Sequence, residues 1–138
     1  MKRVDFLELH NFDLEQVVNT GASIEDVKFI TMATLQKVRD FLGFPITLIR
    51  NGLTTGKHSS KLHQQGLAVD FRVIGEHKPM EVVFSMVKAG FHGIGVYLWA
   101  DGHYTYHGDM RSEYGSWFRI TDKHGNSEDI SIFSDRMV

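Results

Sequence analysis

Apolar residues recur along the chain with the spacing of helices in some segments and of strands in others. Between positions 27 and 42 they fall on one helical face, and the run stops at Gly43. Ser23, which two acidic residues closely follow, looks like the N-cap of this helix. A second apolar run, 79–88, begins with a proline suited to the first helical position and is followed by Gly90. The pattern therefore predicts one helix after Ser23 and another over 79–88.

Alternating apolar and polar residues predict strands elsewhere in the chain. In the segment 67–73 one face is apolar and the other carries Asp70. Shorter strands are predicted at 46–50, 117–121 and 130–133. This order of elements, without repeats or linkers, indicates an α+β fold with a largely antiparallel sheet and flanking helices. With 138 residues, the chain is expected to form a single domain along its whole length.

The clearest local signal is a β-hairpin. Two segments rich in aromatic residues flank Asp101-Gly102, which favours a two-residue turn of type I′. In that register Trp99 lies opposite Tyr104, as an aromatic cross-strand pair. The other large aromatic side chains of this region are likewise expected to pack in the hairpin or the core. With Trp99, they are Tyr97, Tyr114 and Trp117.

Composition narrows the classes of function. The net charge of −2 gives no overall attraction to nucleic acid or to anionic lipid. The absence of cysteine excludes disulfides and thiolate metal sites, so that a metal would be bound by His, Asp or Glu. No apolar run approaches the ~18–20 residues that cross a bilayer. The eight histidines are a high number for this length, which directs the search to metal ligands.

The first residues carry positive charges, but acidic residues interrupt the apolar stretch at once. This beginning does not have the pattern of a signal peptide. We therefore expect synthesis in the cytoplasm. We also expect the protein to be a monomer without a membrane span and without a nucleic-acid partner.

His63 and Asp70 are the first candidate metal ligands. Gly66, between them, lets the chain turn from a loop into the strand, and Asp70 then lies on the face opposite the apolar one. A carboxylate on such a face needs a cation or hydrogen-bond donors. The alternative is an ion pair of Asp70 with Arg50 or Arg72, with His63 exposed in a surface loop.

His107 is the third candidate ligand. Strand alternation places it on one face with His103, Asp109 and Arg111. Such a row is most often a solvated strand face, but two histidines and a carboxylate together are also a set of metal ligands. Two His and one Asp would leave an open coordination position, as in catalytic zinc sites, where zinc-bound water is the nucleophile.

Four segments resemble one enzyme family. His63-x-x-Gly-x-Ala-x-Asp70 resembles the first metal motif of the zinc D-alanyl-D-alanine carboxypeptidases and L-alanyl-D-glutamate endopeptidases. These enzymes share their fold with the hedgehog signalling domain. The segment 106–111 resembles the second motif, 46–52 the strand that delivers an arginine, and 93–97 the glycine-aromatic segment before the second motif. The matches occur in the family's order and extend over roughly residues 25–111.

This resemblance implies a fold, a cofactor and a substrate. It implies the hedgehog/DD-peptidase fold and a zinc ion held by His63, Asp70 and His107. It also implies that Arg50 binds or polarises a carbonyl or carboxylate of the substrate, which would be a peptidoglycan stem peptide. The small size and the absence of a signal peptide would suit a phage-type lysin that acts on the cell wall after release or phage delivery.

The sequence departs from the family at two places. The serine usually found two positions before the first ligand is replaced by Lys61, and Ser60 is the nearest candidate for its substrate-binding role. The usual positions of the general base hold Tyr104 and Thr105. Asp109, ~7 Å from His107 by strand rise, is our first candidate for the base.

The same strand offers an alternative base and an alternative role for Asp109. His103 is a second candidate, although it lies ~13 Å along the strand and would depend on hairpin twist. Asp109 has an alternative role as well, which is to hold Arg111 or to orient a metal ligand.

Two other functions remain open at this point. Without a conventional base, the protein would be a zinc-containing binding module on the same fold. His107 and Asp109 with His124 would instead form the two-histidine, one-carboxylate triad of an iron oxygenase. That triad leaves His63 and Asp70 without a role, and only 29 residues follow Asp109.

Overall fold

One six-stranded sheet organises the chain. The structure, a computed structural model, describes residues 1–53 and 61–130. The strands follow the order β1-β2-β4-β3-β5-β6, and every neighbouring pair is antiparallel except β3 and β5. They are β1 (Ile46–Leu48), β2 (Ala68–Val73), β3 (Gly93–Leu98), β4 (Tyr104–Asp109), β5 (Gly115–Thr121) and β6 (Ser127–Ile130). The expected α+β class with a largely antiparallel sheet is thus confirmed.

The described residues form four α-helices and two short 3-10 helices. The α-helices are α1 (Leu14–Asn19), α2 (Phe29–Leu42), α3 (Lys61–Gln64) and α4 (Pro79–Ala89). The 3-10 helices are Arg3–Glu8 and Ile24–Asp26. The sequence patterns located α2 and α4, and both end as predicted at glycines in the left-handed conformation, Gly43 and Gly90.

The predicted start of α2 at Ser23 is wrong. Ser23 precedes a single 3-10 turn, and the backbone at Val27 and Lys28 is extended before α2 begins at Phe29. The reason is tertiary. The Val27 side chain is fully buried, and the N–H of Lys28 donates to the carbonyl of Gly66 at 3.1 Å. These contacts hold the chain in an extended conformation that a continuous helix would not allow.

The two faces of the sheet have different surroundings. Apolar side chains of β2, β3, β4 and β5 join those of α2 and α4 in one core, including Met32, Phe71, Met86, Tyr106 and Phe118. Residues at the alternate strand positions line a cleft on the opposite face. The polar residues singled out in β2 and β4 lie on this cleft face.

The hairpin formed by β3 and β4 has a longer turn than predicted. The N–H of Trp99 donates to the carbonyl of His103, so that Trp99 lies opposite His103 rather than Tyr104. Three residues form the loop, and the last of them, Gly102, has φ +88°. This is the three-residue hairpin loop with a left-handed glycine, and the predicted two-residue turn is wrong.

The longer turn shifts the register by one residue and changes which side chains share a face. Tyr97 lies opposite Thr105, and Gly95 lies opposite His107. Tyr97 and Trp99 therefore lie on the cleft face with His107 instead of packing into the core. The last strand also begins earlier than predicted, at Ser127, and residues 131–133 of the prediction lie outside the described residues.

Gly66 should be intolerant of substitution, because it combines a positive φ of +73° with a close approach of backbone. A Cβ at this position would lie 2.0 Å from the carbonyl oxygen of Asp26. We expect Gly66→Ala to lower the free energy of unfolding by about 1–2 kcal/mol from strain and about 1–3 kcal/mol from overpacking. Urea denaturation measures this change.

Gly102→Ala is the matched control. Gly102 has a similar φ of +88°, but a Cβ there would meet nothing within 4 Å. Gly102→Ala should then lower the free energy of unfolding by the strain contribution alone, about 1–2 kcal/mol. Equal destabilisation by the two substitutions would contradict the close approach at Gly66.

Candidate metal centre

β2 and β4 bring two of the candidate ligands, Asp70 and His107, together. The strands are antiparallel neighbours, and Asp70 and His107 are directly opposite each other. His63 comes from α3, which enters β2 through the turn at Gly66. The predicted ligands thus converge from a helix and two paired strands.

The three side chains form a compact group. Oδ1 of Asp70 lies 2.9 Å from Nδ1 of His107, and Oδ2 lies 3.5 Å from Nε2 of His63. One ligand atom from each residue lies within 4.8 Å of the others. Both imidazoles are buried, whereas the Asp70 side chain is 26% exposed and lines the cleft. This group could hold a metal ion.

Hydrogen bonds on the outer side of each imidazole fix its orientation. Nδ1 of His63 donates to the carbonyl of Leu53 at 2.6 Å. Nε2 of His107 donates to Oδ2 of Asp109 at 2.7 Å. When a ring is neutral, this outer bond keeps the proton on the outer nitrogen, so that Nε2 of His63 and Nδ1 of His107 are the nitrogens that could bind a metal ion. Donation of the second ring N–H to a carbonyl or carboxylate is the usual environment of metal-binding histidines.

Asp109 is held on both sides. Asp109 is fully buried. Its carboxylate accepts hydrogen bonds from Nε and Nη2 of Arg111, at 2.8 and 2.6 Å, and a third from His107. Such paired hydrogen bonds from arginine are strong and geometrically specific. Burial opposes ionisation, but the bonds from Arg111 and His107 outweigh it and keep the pKa of Asp109 well below its usual range.

Burial and hydrogen bonds act in opposite directions on the charges of Asp70 and His107. Burial opposes ionisation of Asp70, but hydrogen bonds from His107 and His63 lower its pKa to about 2. Burial also disfavours the protonated form of His107, yet its bonds to Asp109 and Asp70 raise its pKa. Asp70 is therefore ionised at neutral pH, and a metal ion would compete with a proton for His107.

The contacts of Asp109 match its alternative role better than the role of general base. Asp109 contacts one nitrogen of the His107 ring and Asp70 faces the other, so that the ring separates Asp109 from the candidate metal position. His103 lies in the cleft wall at the hairpin turn, where it pairs with Asp101. Of the two candidate bases, His103 is the one that lines the cleft.

The predicted substrate-binding residues have different positions. Arg50 is exposed in the turn after β1 and is not among the described residues that line the cleft. Ser60 lies outside the described residues, as does His58 nearby. Arg72, which sequence reasoning did not propose as a site residue, does line the cleft. Its position two residues after Asp70 on β2 was the signal that could have identified it.

Three of the four aromatic residues expected in the hairpin or core line the cleft. The cleft has a volume of about 970 Å³, and its wall includes Tyr97, Trp99 and Trp117. The fourth residue, Tyr114, is outside the cleft wall and 74% exposed, and its ring lies 4.3 Å from that of His92. The register shift at the hairpin accounts for Tyr97 and Trp99, and Trp117 lies on the same face of the neighbouring strand β5.

Two glycines of β3 make room for the site. A Cβ at Gly93 would lie 2.1 Å from the carboxylate of Asp109, and one at Gly95 would lie 2.5 Å from the indole of Trp117. The spacing of these glycines was visible in the sequence, but its physical reason depends on β4 and β5 lying on either side of β3.

The triad of an iron oxygenase is not assembled. His107 and Asp109 hydrogen-bond to each other, and His124 is exposed in the turn between β5 and β6. Among the residues that the structure describes, the candidate metal group consists of His63, Asp70 and His107 without His124.

Comparisons with family models, curated proteins and solved structures find no match to this chain. Across residues 1–53 and 61–130, no helix has both the length and the apolar character that crossing a membrane would require.

Proposed function

We propose that this protein is a zinc peptidase that hydrolyses an amide bond in peptidoglycan stem peptides. The observation that carries the proposal is the group of His63, Asp70 and His107, which lies at the wall of a large cleft with both imidazoles held by outer hydrogen bonds. The resemblance of the segments around these residues to the stem-peptide peptidases supports the substrate class. Action at the cell wall, after release or phage delivery, is part of this proposal.

The donor set fits zinc. Imidazole nitrogens suit zinc, and two His with one carboxylate are a known set in catalytic zinc sites, where the remaining position takes water or substrate. When bound, a zinc ion would lower the pKa of a water molecule and polarise the scissile carbonyl. Asp109 and Arg111 would hold the His107 ring in place throughout, because their bonds do not involve Nδ1.

Arg72 is suited to binding a carboxylate or carbonyl of the substrate. Two other arginines of the cleft wall are paired with aspartates, Arg111 with Asp109 and Arg119 with Asp129. Arg72 is exposed and forms no ion pair with the described residues. Its guanidinium is thus available to an anionic substrate group. Arg50 could contribute only if its exposed side chain reached over the cleft edge.

A zinc-containing binding module is the second candidate function. Asp70 is the only carboxylate among the described residues that line the cleft, and it belongs to the metal group. A hydrolase would then need His103 or another group to transfer the proton. This shortage of candidate bases is the observation that favours binding without hydrolysis.

Incubation of the zinc-loaded protein with purified muropeptides tests the proposed function. We expect new fragments in mass spectra, either free D-alanine or products of cleavage between L-Ala and D-Glu. Chelation of the metal should reduce the rate to background, because removing the ion removes the activated water.

Variants separate the two candidate functions. His63→Ala should lack activity, whereas His124→Ala, an exposed histidine outside the site, should retain it. If His103→Gln binds zinc but does not cleave, the result would support His103 as the base. One zinc per chain with no cleavage of any cell-wall preparation would contradict the peptidase and favour the binding module.

A further inference from the structure

A group of aromatic side chains lines the cleft beside the candidate metal ligands. It consists of Tyr97, Trp99 and His103, which we name the aromatic platform. The Trp99 ring lies within 25° of the plane of Tyr97 and within 15° of the plane of His103, with centroids 6.5 and 6.1 Å apart. Trp99 is 40% exposed, and all three residues line the cleft. The Trp99 ring is thus nearly parallel to both neighbouring rings, and it is partly open to the cleft.

Hydrogen bonds hold the platform in this arrangement. The indole N–H of Trp99 donates to Oγ1 of Thr105 at 2.9 Å. The hydroxyl of Tyr97 accepts a bond from the indole of Trp117 at 2.8 Å. A ligand would therefore meet rings that are already oriented, which lowers the entropic cost of binding.

Polar groups lie next to the aromatic platform. Arg119 lies opposite Tyr97 in the sheet, and its guanidinium carbon lies over the Tyr97 ring, 5.8 Å from the ring centroid. Its partner Asp129 on β6 is exposed, and the pair is open to solvent. The Arg119 guanidinium can donate hydrogen bonds to the hydroxyl groups of a ligand, and the Asp129 carboxylate can accept hydrogen bonds from them.

We propose that the aromatic platform binds a pyranose ring of the peptidoglycan glycan strand. A pyranose has an apolar face of C–H groups that packs on aromatic rings, while its equatorial hydroxyls point to the ring edge. The exposed part of the Trp99 ring offers the aromatic contact, and the Arg119–Asp129 pair offers groups that hydrogen-bond to hydroxyls. This inference rests on the proposed function, which supplies a substrate whose peptide is attached to a sugar.

The distance from His107 to the platform can be compared with the length of chain between the sugar and each bond of the stem peptide. Tyr97 lies opposite Thr105, two residues or ~7 Å from His107, and Trp99 lies opposite His103, ~13 Å from His107 along the strand. Between the sugar and the L-Ala–D-Glu bond stand one residue and a lactyl group, about 7 Å of chain. A D-Ala–D-Ala bond is separated from the sugar by the lactyl group and four residues, roughly 17 Å of extended chain. A sugar over Tyr97 would therefore set the L-Ala–D-Glu bond near the candidate metal ligands, and a sugar over Trp99 would set the D-Ala–D-Ala bond there.

Titration of the zinc-loaded protein with a soluble N-acetylglucosamine oligosaccharide tests the platform directly. We expect chemical-shift changes at the indole N–H of Trp117, which bonds to Tyr97, and a dissociation constant about tenfold higher in Trp99→Ala. Trp99→Phe should recover part of the affinity. Phe84→Ala is the control, since Phe84 is 61% exposed on α4, and it should bind as the wild type does.

Kinetics give a second readout that separates this inference from the proposed function. For Trp99→Ala we expect KM for a glycan-linked muropeptide to rise about tenfold relative to KM for the same peptide without sugar. Equal changes in KM for both peptides would overturn the inference while the peptidase stands. Oligosaccharide binding without any hydrolysis would support the platform while the peptidase fails.

Self-association is the other use of an exposed aromatic surface. Light scattering of the wild type and Trp99→Ala distinguishes it. If the wild type is a dimer, Trp99→Ala a monomer, and no oligosaccharide binds, a second copy of this chain covers the platform and the inference is overturned.

Discussion

Replacing His63 with alanine should abolish tight zinc binding, whereas replacing His124 should leave it intact. His63 is buried, and its Nε2 lies 3.5 Å from Oδ2 of Asp70. His124 is exposed in a turn. The free energy of zinc binding at structural sites is about 10–16 kcal/mol. About four ligands share it, so that one ligand contributes about 3 kcal/mol. The loss corresponds to about a hundredfold or more in affinity.

Metal analysis after loading and gel filtration measures the effect. The wild type and His124→Ala should contain about one zinc per chain, and His63→Ala should contain little. Competition with a chromophoric chelator gives the affinity, which should fall as the pH is lowered because protons compete for the imidazoles. Unchanged zinc content in His63→Ala would exclude this metal centre.

Asp109→Ala should have the second large effect, on both stability and metal affinity. The substitution leaves Arg111 and His107 without the fully buried carboxylate to which they donate. Arg111 is 35% exposed and can be solvated after the substitution, so we expect a loss of stability of about 1.5–3 kcal/mol, below that of a fully buried pair. Loss of the bond that orients the His107 ring should also reduce zinc affinity about 10–100-fold.

Asp129→Ala is the matched control for this experiment. Asp129 forms the same kind of pair with Arg119, but both side chains are exposed. Such pairs contribute little to stability, so that the midpoint of urea denaturation should hardly change. Unfolding is measured with chelator present, and zinc affinity separately. If Asp109→Ala reduced stability without changing zinc affinity, Asp109 would not be the residue that positions His107.

The candidate ligands could be predicted because each depends on short-range patterns. Alternation in β2 and β4 placed Asp70 and His107 on polar faces, and the motif around Gly66 identified His63. Their assembly could not be derived from alternation alone. It depends on β2 pairing with β4 in the register that sets Asp70 opposite His107, which is a long-range contact.

The errors also have physical causes. Asp101-Gly102 favours a two-residue turn, but the hairpin adopts a three-residue loop, and a shift of one residue moves Tyr97 and Trp99 to the cleft face. The proposed base was placed by strand rise alone. That distance cannot reveal that Asp109 lies behind the His107 ring, because the direction of the carboxylate is set by Arg111.

The sequence by itself determined the α+β class, the ends of α2 and α4 at glycines, and the residues able to bind a metal. These features depend on local conformational preference and on the chemistry of side chains, which neighbouring residues carry with them. Only the tertiary structure decided that Lys28 bonds to Gly66, that Asp109 supports His107, and that aromatic rings line the same cleft as the candidate metal ligands. Strand order and register decide such contacts, since they join residues that are far apart in the chain.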